Sequence, residues 1–398
     1  MPTVQTPSFF VDDTPRAGLY IHIPFCIKKC LYCDFYSVTD LSLQSLFLDA
    51  LISEMRLREE TGLVFDSLYI GGGTPSVLDN KVLDKIIGTA RQCFDISSDA
   101  EITLEVNPGT VTLAQFKHFR RIGVNRINIG IQSFNPKHLG FLGRIHSGRD
   151  AKNAVKWAQK AGCVNIGLDL IYGIPGQTRT SWLKDLQTAV EFQPQHLSSY
   201  MLTFEPGTPL YNDLKNQIFT PLPEQRVCEL YETTVAFLKT RQFVQYEISN
   251  FARTAVDGSG MKSTPSSASR HNMKYWNFIP YIGLGPSAHS FIDEKRFWNH
   301  SSVNKYIEEL TAGRLPRAGK ESLTREQQQI EAVYLGLRQT KGIDIHAFEK
   351  KFNVNFTAKY AGVIANLEEK GLLKMSQNRC ALTTKGMLLL DSIATQFI

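Results

Sequence analysis

The sequence lacks the features that would place it across a membrane, in a secretory route or on nucleic acid. No stretch of about 18 consecutive apolar residues occurs in its 398 residues, so no transmembrane helix is expected. The segment "MPTVQTPSFFVDDTPRAG" has no basic stretch followed by an apolar one, so a secretory signal is not expected. Blocks of about five or six like charges are absent. The net charge of +6 is therefore dispersed over solvated faces and argues against a nucleic-acid partner. Cysteine is scarce, at seven residues, and the odd count does not suit a disulfide framework. Cys93, Cys163, Cys228 and Cys380 stand singly among apolar residues, as buried thiols do in a reducing cytoplasm.

What is present is a repeating pattern. From about residue 18, short β-rich runs ("LYIHI", "SLYIGG", "EITLEVN", "RINIGIQS", "NIGLDLIYG", "HLSSYMLT") alternate with helical segments. In "LSLQSLFLDALISEMRLREE", Leu43, Leu46, Phe47, Ala50 and Leu51 make one apolar helical stripe. Such β–α units imply parallel strands with helices outside, and near-continuously apolar strands suit a covered sheet. A doubly wound sheet and an incomplete barrel both fit this pattern. Polar residues at the strand ends (Gly71 to Thr74, Glu105, Asn107, Gln132, Ser133, Tyr172) favour the barrel, whose active sites lie on that rim.

Three of the cysteines do not fit the buried-thiol description. "CIKKCLYCDFYS" places Cys26, Cys30 and Cys33 in one loop, with Phe35 where a fourth ligand could have stood. A structural zinc needs four ligands, usually from two separated pairs, and a disulfide would strand one thiol. Thiolates also select iron–sulfur clusters. A cubane held at three corners keeps one iron open, as a catalytic zinc keeps a site for water. The glycines of "YIGGGTPS" end a strand where bare backbone can approach a ligand, with amides and carbonyls free to meet it. Glu105, closing "LEVN", is placed to accept hydrogen bonds from hydroxyl pairs such as those of a ribose.

"YIHIPFCIKKCLYC" resembles the radical S-adenosylmethionine (SAM) signature. Together with "GVNRINIGIQSFN", "LGRIH", "IGLDLIYGIPGQT", "EPGTPLY", "YEISNFA", "RHNMKYW" and "YIGLGPSAHSF" it resembles the oxygen-independent coproporphyrinogen III oxidase family. "CDF" with "HN-x2-YW" is similar to its haem chaperone HemW branch. Oxidase members carry one more cysteine, and Phe35 in its place casts doubt on oxidase activity.

The resemblance implies an α/β fold, a partial (β/α)6 TIM-like barrel with a C-terminal winged-helix-like domain. It implies a [4Fe–4S] cluster on Cys26, Cys30 and Cys33, and SAM contacts through Tyr20, Gly72, Gly73, Thr74 and Glu105. Gln132, Arg144 and Asp169 match residues that contact a second SAM in the oxidases; an Arg144–Asp169 pair is the structural alternative. His22 reads equally as a cluster or substrate contact and as a satisfied core histidine. Haem would be bound by His271, Asn272, Tyr275 and Trp276, with His289 in reserve. The expected function is haem trafficking to apo-haemoproteins in the cytoplasm, with the membrane surface and a homodimer left open and a flavodoxin or ferredoxin as reductant. The alternative is anaerobic oxidative decarboxylation of coproporphyrinogen III. A third reading is a zinc-stapled binding protein that meets nucleic acid. The expected divisions are a leader at 1–17, the barrel at 18–252, a flexible Ser/Gly-rich loop at 253–269, a haem-motif segment at 270–324 and the winged helix at 325–398.

Overall fold

The computed structural model describes residues 16–254 and 267–398; most of the expected leader and Ser/Gly-rich loop lies outside the described residues. Strands β1 (Ala17–Ile23), β2 (Val64–Gly72), β3 (Asp95–Val106), β4 (Arg126–Gln132), β5 (Ile166–Tyr172) and β6 (His196–Met201) lie side by side in chain order, each parallel to the next. Helices α1 (Gln44–Leu57), α2 (Asn80–Cys93), α3 (Leu113–Arg121), α4 (Pro136–Phe141), α5 (Gly148–Lys160) and α6 (Arg179–Glu191) connect them, and α7 (Pro209–Lys215) and α8 (Glu224–Thr240) follow β6. A doubly wound sheet would reverse its strand order part-way. This order never reverses, so the chain winds as a barrel does.

The helix starts are written locally. Thr112 with Gln115 and Ser147 with Asp150 form capping boxes that satisfy the first amides of α3 and α5. The α1 stripe differs from expectation. Phe47, Ala50, Leu51 and Met55 are buried, whereas Leu46, at the edge of that stripe, is 56% exposed.

The barrel stays open. The second neighbour of β1 is β9 (Tyr281–Leu284), parallel to it, while β6 meets β8 (Asn250–Arg253), itself paired with β7 (Phe243–Glu247). Beyond β9 the sheet continues antiparallel through β10 (His289–Ile292), β11 (Lys295–Asn299) and β12 (Arg317–Ser322). The strands are also not apolar throughout. Leu19, Ile21, Leu68, Ile70, Leu104, Ile127, Ile129, Leu168 and Leu197 face the helices and are buried. The alternate positions (Tyr20, Ser67, Tyr69, Thr103, Asn128, Asp169 and Ser198 among them) face the lumen and are polar. An eight-stranded TIM barrel fills its interior with branched aliphatics; this one lines a cavity instead.

The short helix α9 (Arg270–Trp276) precedes β9, and α10 (Val303–Thr311) follows β11. The C-terminal region opens with α11 (Arg325–Arg338). Strand β13 (Ile343–Asp344), helices α12 (Ile345–Phe352), α13 (Phe356–Lys359) and α14 (Ala361–Glu369), strands β14 (Leu373–Met375) and β15 (Arg379–Leu382), and short helices α15 (Thr384–Met387) and α16 (Leu390–Ala394) complete it. Its three strands form a separate sheet in the order β13-β15-β14. Arg338 joins it to the barrel, donating to buried Glu247 at 2.8 Å while stacking 4.3 Å over Trp276.

A second buried network ties α1 to the sheet extension. The Glu54 carboxylate, fully buried, accepts from Arg58 Nε at 3.0 Å, Asn299 Nδ2 at 2.8 Å, the Gly285 amide at 2.9 Å and Tyr306 Oη at 2.7 Å. Removing one member of such a network strands its partners away from water. Glu54→Ala should lower stability by about 3–5 kcal/mol, read by chemical denaturation; a loss under about 1 kcal/mol would show that water replaces the carboxylate.

Candidate functional site

The cysteine loop leaves the C-terminal end of β1 and is closed at its base. Val38 N–H donates to Pro24 O at 2.7 Å and Cys26 N–H to Val38 O at 3.0 Å. Its far side is pinned by Leu31 N–H to Leu142 O at 3.2 Å and by Leu210 N–H to Leu31 O at 3.0 Å. Cys26, Cys30 and Cys33 are all free thiols. Cys26 Sγ lies 3.4 Å from Thr74 Oγ1, and Arg144 donates to Cys30 Sγ at 3.2 Å and to Gly130 O at 2.8 Å. Burial pushes the Cys33 thiol up to about 11, opposed by the Phe35 amide and reinforced by the neighbouring Cys30 and Cys26. Three thiols near enough to feel one another are a donor set that a thiophilic, positively charged centre would relieve. Among the described residues no three His, Cys, Asp or Glu side chains gather about a single point as a lone metal ion requires. Phe35 projects outward, 68% exposed.

The glycine run meets the protein's own backbone first. Gly73 N–H donates to Ile23 O and Thr74 N–H to Phe25 O, both at 2.8 Å, so these amides are not free as expected. A Cβ at Gly73 would lie 2.7 Å from Phe25 O, and one at Gly72, where φ is +107°, would lie 2.7 Å from the His22 ring. The glycines thus let β2 press against the root of the cysteine loop. Glu105 accepts from Tyr69 Oη at 2.6 Å and from the Gly72 amide at 3.2 Å. Burial raises it to about 7, partly offset by the Tyr69 hydrogen bond.

Tyr20 Oη lies 3.0 Å from His22 Nδ1, and His22 Nε2 lies 2.8 Å from Tyr36 O. With both nitrogens engaged and burial holding its pKa down at about 4, His22 is a satisfied core histidine that braces the end of the loop.

Gln132, Arg144 and Asp169 converge on Gly130. A Cβ there would lie 3.0 Å from Gln132 Nε2 and 3.6 Å from Arg144, and Asp169 is its register partner on β5. Arg144 serves Cys30 and Gly130, and the alternative of a structural Arg144–Asp169 ion pair is not seen among the described residues. Burial raises Asp169 to about 6, with Ser198, Arg126 and Arg144 pulling the other way. Asp169 Oδ1, Gln132 Oε1, Arg144 Nε, Asn128 Oδ1 and Thr103 Oγ1 are buried without partners. So many orphaned polar atoms in one lumen fit a polar ligand that would satisfy them. Gln132 also holds φ at +64°, strain that a non-glycine residue sustains where its side chain must be aimed.

Three residues expected on the rim are structural. Asn107 caps a 3₁₀ turn, Ser133 donates to Asp185, and Tyr172 is buried against Trp182. The haem motif is divided as well. His271 is 1% exposed and lies between Ser67 Oγ (3.0 Å from Nδ1) and Tyr275 Oη (2.9 Å from Nε2), beside Gly18. It therefore closes the floor of the barrel, about 15 Å of strand away from the cysteine loop. Trp276 faces Arg338 instead, and the Asn272 backbone amide donates to Ser269 Oγ. In this conformation both ring nitrogens of His271 have hydrogen-bond partners. Sequence reasoning overlooked Tyr69, Asn128 and Ser198 as partners of the site; polar residues at every second position of otherwise apolar strands were the available signal.

Residues 20–189 match the radical SAM superfamily and residues 323–389 the HemN C-terminal domain. Over 385 residues, 95% of this chain and 98% of the relative, the sequence is 33% identical to the heme chaperone HemW of Bacillus subtilis (strain 168). The chain belongs to the HemW family of radical SAM proteins. Another HemW, from Escherichia coli (strain K12), is 38% identical over 283 residues, 69% of this chain and 70% of its own. Among solved structures, the radical SAM enzyme coproporphyrinogen III oxidase (HemN) of Escherichia coli superposes with a TM-score of 0.80 at 25% identity, covering 96% of this chain and 90% of that one. Membership of the radical SAM superfamily implies a [4Fe–4S] cluster and SAM, and in this HemW-family chain the three free thiols beside a polar lumen fit both. No helix of the described residues is long and apolar enough to cross a membrane.

Asp169 supplies a test of the lumen. Its folded pKa, about 6, lies above the ordinary 3.8, so the folded state binds more protons than the unfolded one between those values. Its contribution to stability therefore falls as pH rises from about 4 through 6. In ligand-free protein Asp169→Asn should gain about 1–3 kcal/mol at pH 8 and nothing near pH 4, read by urea denaturation at both. An equal effect at the two pH values would contradict the assignment.

Proposed function

We propose that the protein is a haem chaperone that carries a [4Fe–4S] cluster and SAM at the barrel mouth and passes haem to apo-haemoproteins. The observation that carries this reading is Phe35, exposed at 68%, where the oxidases have a further cysteine, in a chain similar to HemW proteins over nearly its whole length. Cys26, Cys30 and Cys33 would hold the cluster, which when bound offers an open iron to the amino and carboxylate groups of SAM and an electron from a flavodoxin or ferredoxin.

Within the chain, Arg144 donates to Cys30 Sγ and so orients that thiol in the loop. Tyr20, Glu105 and the Gly72–Thr74 turn would bind SAM. Gly73 and Thr74 would act through groups other than their amide N–H, which the loop uses. Glu105 would exchange its Tyr69 and Gly72 hydrogen bonds for those of the ligand. Gln132, Arg144 and Asp169 would line the deeper part of the lumen, where their partnerless atoms lie. Haem acceptance, handover at the membrane surface and a homodimer belong to the same reading. The expected divisions of the chain and its cytoplasmic setting also stand as proposals.

The second reading, oxidative decarboxylation of coproporphyrinogen III, is favoured by the likeness to HemN and opposed by Phe35. One experiment separates the two. Anaerobically reconstituted protein should contain iron and acid-labile sulfide, lose both in Cys30→Ser, and give a saturable Soret change with haem. Under reducing conditions with SAM it should leave coproporphyrinogen III unchanged. Turnover of that porphyrinogen would replace the chaperone reading, and absence of any Soret change would remove it.

A further inference from the structure

Tyr20, Glu105, Gln132 and Asp169 point into the barrel and yet are part-exposed, so the lumen reaches them. Behind Glu105 lies a buried layer. Tyr69 is 8% exposed and Asn128 5%. Asn128 is the register partner of Glu105 on β4, and Tyr69 reaches the same carboxylate from β2 on the other side. Tyr69 Oη donates to Glu105 Oε1 at 2.6 Å and accepts from Asn128 Nδ2 at 3.3 Å. Gly71 makes room for this meeting. A Cβ there would lie 2.8 Å from Tyr69 Cε1 and 2.9 Å from Glu105 Oε2. The phenol ring is held between others, with centroids 5.2 Å from His271 and 6.1 Å from Tyr20.

The phenol hydroxyl gives Glu105 the kind of hydrogen bond that a ribose hydroxyl would give it. A ligand that takes this place leaves Tyr69 Oη buried without an acceptor, which is costly unless another acceptor is at hand. Asn128 supplies one. Its Oδ1 has no partner, and neither has His196 Nδ1; both lie against Gly167 of β5. A half-turn of the Asn128 amide brings Oδ1 to Tyr69 and turns Nδ2 toward His196, so that both orphaned atoms are served.

We propose that Tyr69 is a positioning residue for ribose recognition: it keeps Glu105 ready as an anion until a ribose hydroxyl replaces it, and Asn128 then accepts the displaced phenol. The inference rests on the SAM reading above. No proton is transferred; Tyr69 keeps its hydrogen and changes only its acceptor. Burial, and then the Glu105 charge, hold the phenol far above its ordinary value, so it stays a donor. Burial lifts Glu105 to about 7, the Tyr69 bond and the Gly72 amide oppose that rise, and Asp169 adds to it. Tyr20 of β1 and Tyr275 of α9 also face this carboxylate, and burial keeps both uncharged near neutrality. Removing the phenol hydroxyl therefore has two opposite effects. It lifts Glu105 further, which weakens ribose binding near pH 7, and it removes the competitor, which favours binding once the carboxyl is ionised.

The test is calorimetric titration of full-length, anaerobically reconstituted protein from about pH 6 to about pH 9, a range that spans the Glu105 transition. The probes are SAM and methylthioadenosine, which keeps the ribose hydroxyls and lacks the titrating amino-acid end. Wild-type affinity for both should rise with pH through about 7. In Tyr69→Phe the midpoint of that rise should move up by about one pH unit, which makes binding about fivefold weaker at pH 7. Near pH 9 the same variant should equal or exceed wild type, which also shows that it is folded. Asn128→Ala should bind about fivefold more weakly at every pH, with the midpoint unmoved. An unmoved midpoint in Tyr69→Phe, or equal weakening at every pH, overturns the role of Tyr69 and leaves the SAM reading standing. Failure of wild type to bind SAM saturably removes both.

Discussion

Successive side chains on a strand must point to opposite faces, and nearly everything of interest in this protein depends on that alternation being chemically unequal. Across β1 to β6 one set of positions is aliphatic and packs under the helices. The other set is tyrosine, serine, threonine, asparagine, glutamate and aspartate, and faces the lumen. The aliphatic face contributes most of the burial that holds the barrel together. The polar face could not exist in a filled barrel, because so many polar atoms would lie buried without partners. Six strands and an open edge leave the room that eight would fill.

That open edge also decides how the site is assembled. Since β1 bonds to β9 instead of closing on β6, the sheet runs on through β10 to β12 beyond the barrel. Glu54 anchors this extension to α1, the helix that follows the loop. At the other end, α9 inserts His271 and Tyr275 as a floor, and its Trp276 is clamped by Arg338 of the C-terminal region. The two ends of the barrel are therefore held by different parts of the chain, one near the thiols and one remote from them.

Much of this was legible in the residues. The β–α alternation, the three cysteines with Phe35 in fourth place, and Glu105 at a strand end could be read without coordinates. Leu46 could not, because five apolar residues at helical spacing span more than one face and only packing decides which side is covered. The glycine amides were misjudged for a related reason. Glycine signals close approach and does not say to what, and here it is the carbonyls of Ile23 and Phe25. The motif "HN-x2-YW" reads as one patch on paper, whereas residues adjacent on a short helix can face different neighbours, as His271 and Trp276 do.

By itself, the sequence determined the kinds of chemistry on offer: soft thiolate donors in one loop, a parallel sheet of covered strands, and no apolar segment long enough to cross a bilayer. These follow from residue type and local periodicity, which tertiary contacts do not alter. Tertiary structure decided which polar side chains share a cavity, which imidazoles are consumed by neighbours, and which end of the barrel each motif occupies. Those outcomes depend on strand register and sheet order, relations between segments more than 200 residues apart such as Ser67 and His271 or Glu54 and Tyr306, and no local pattern encodes them.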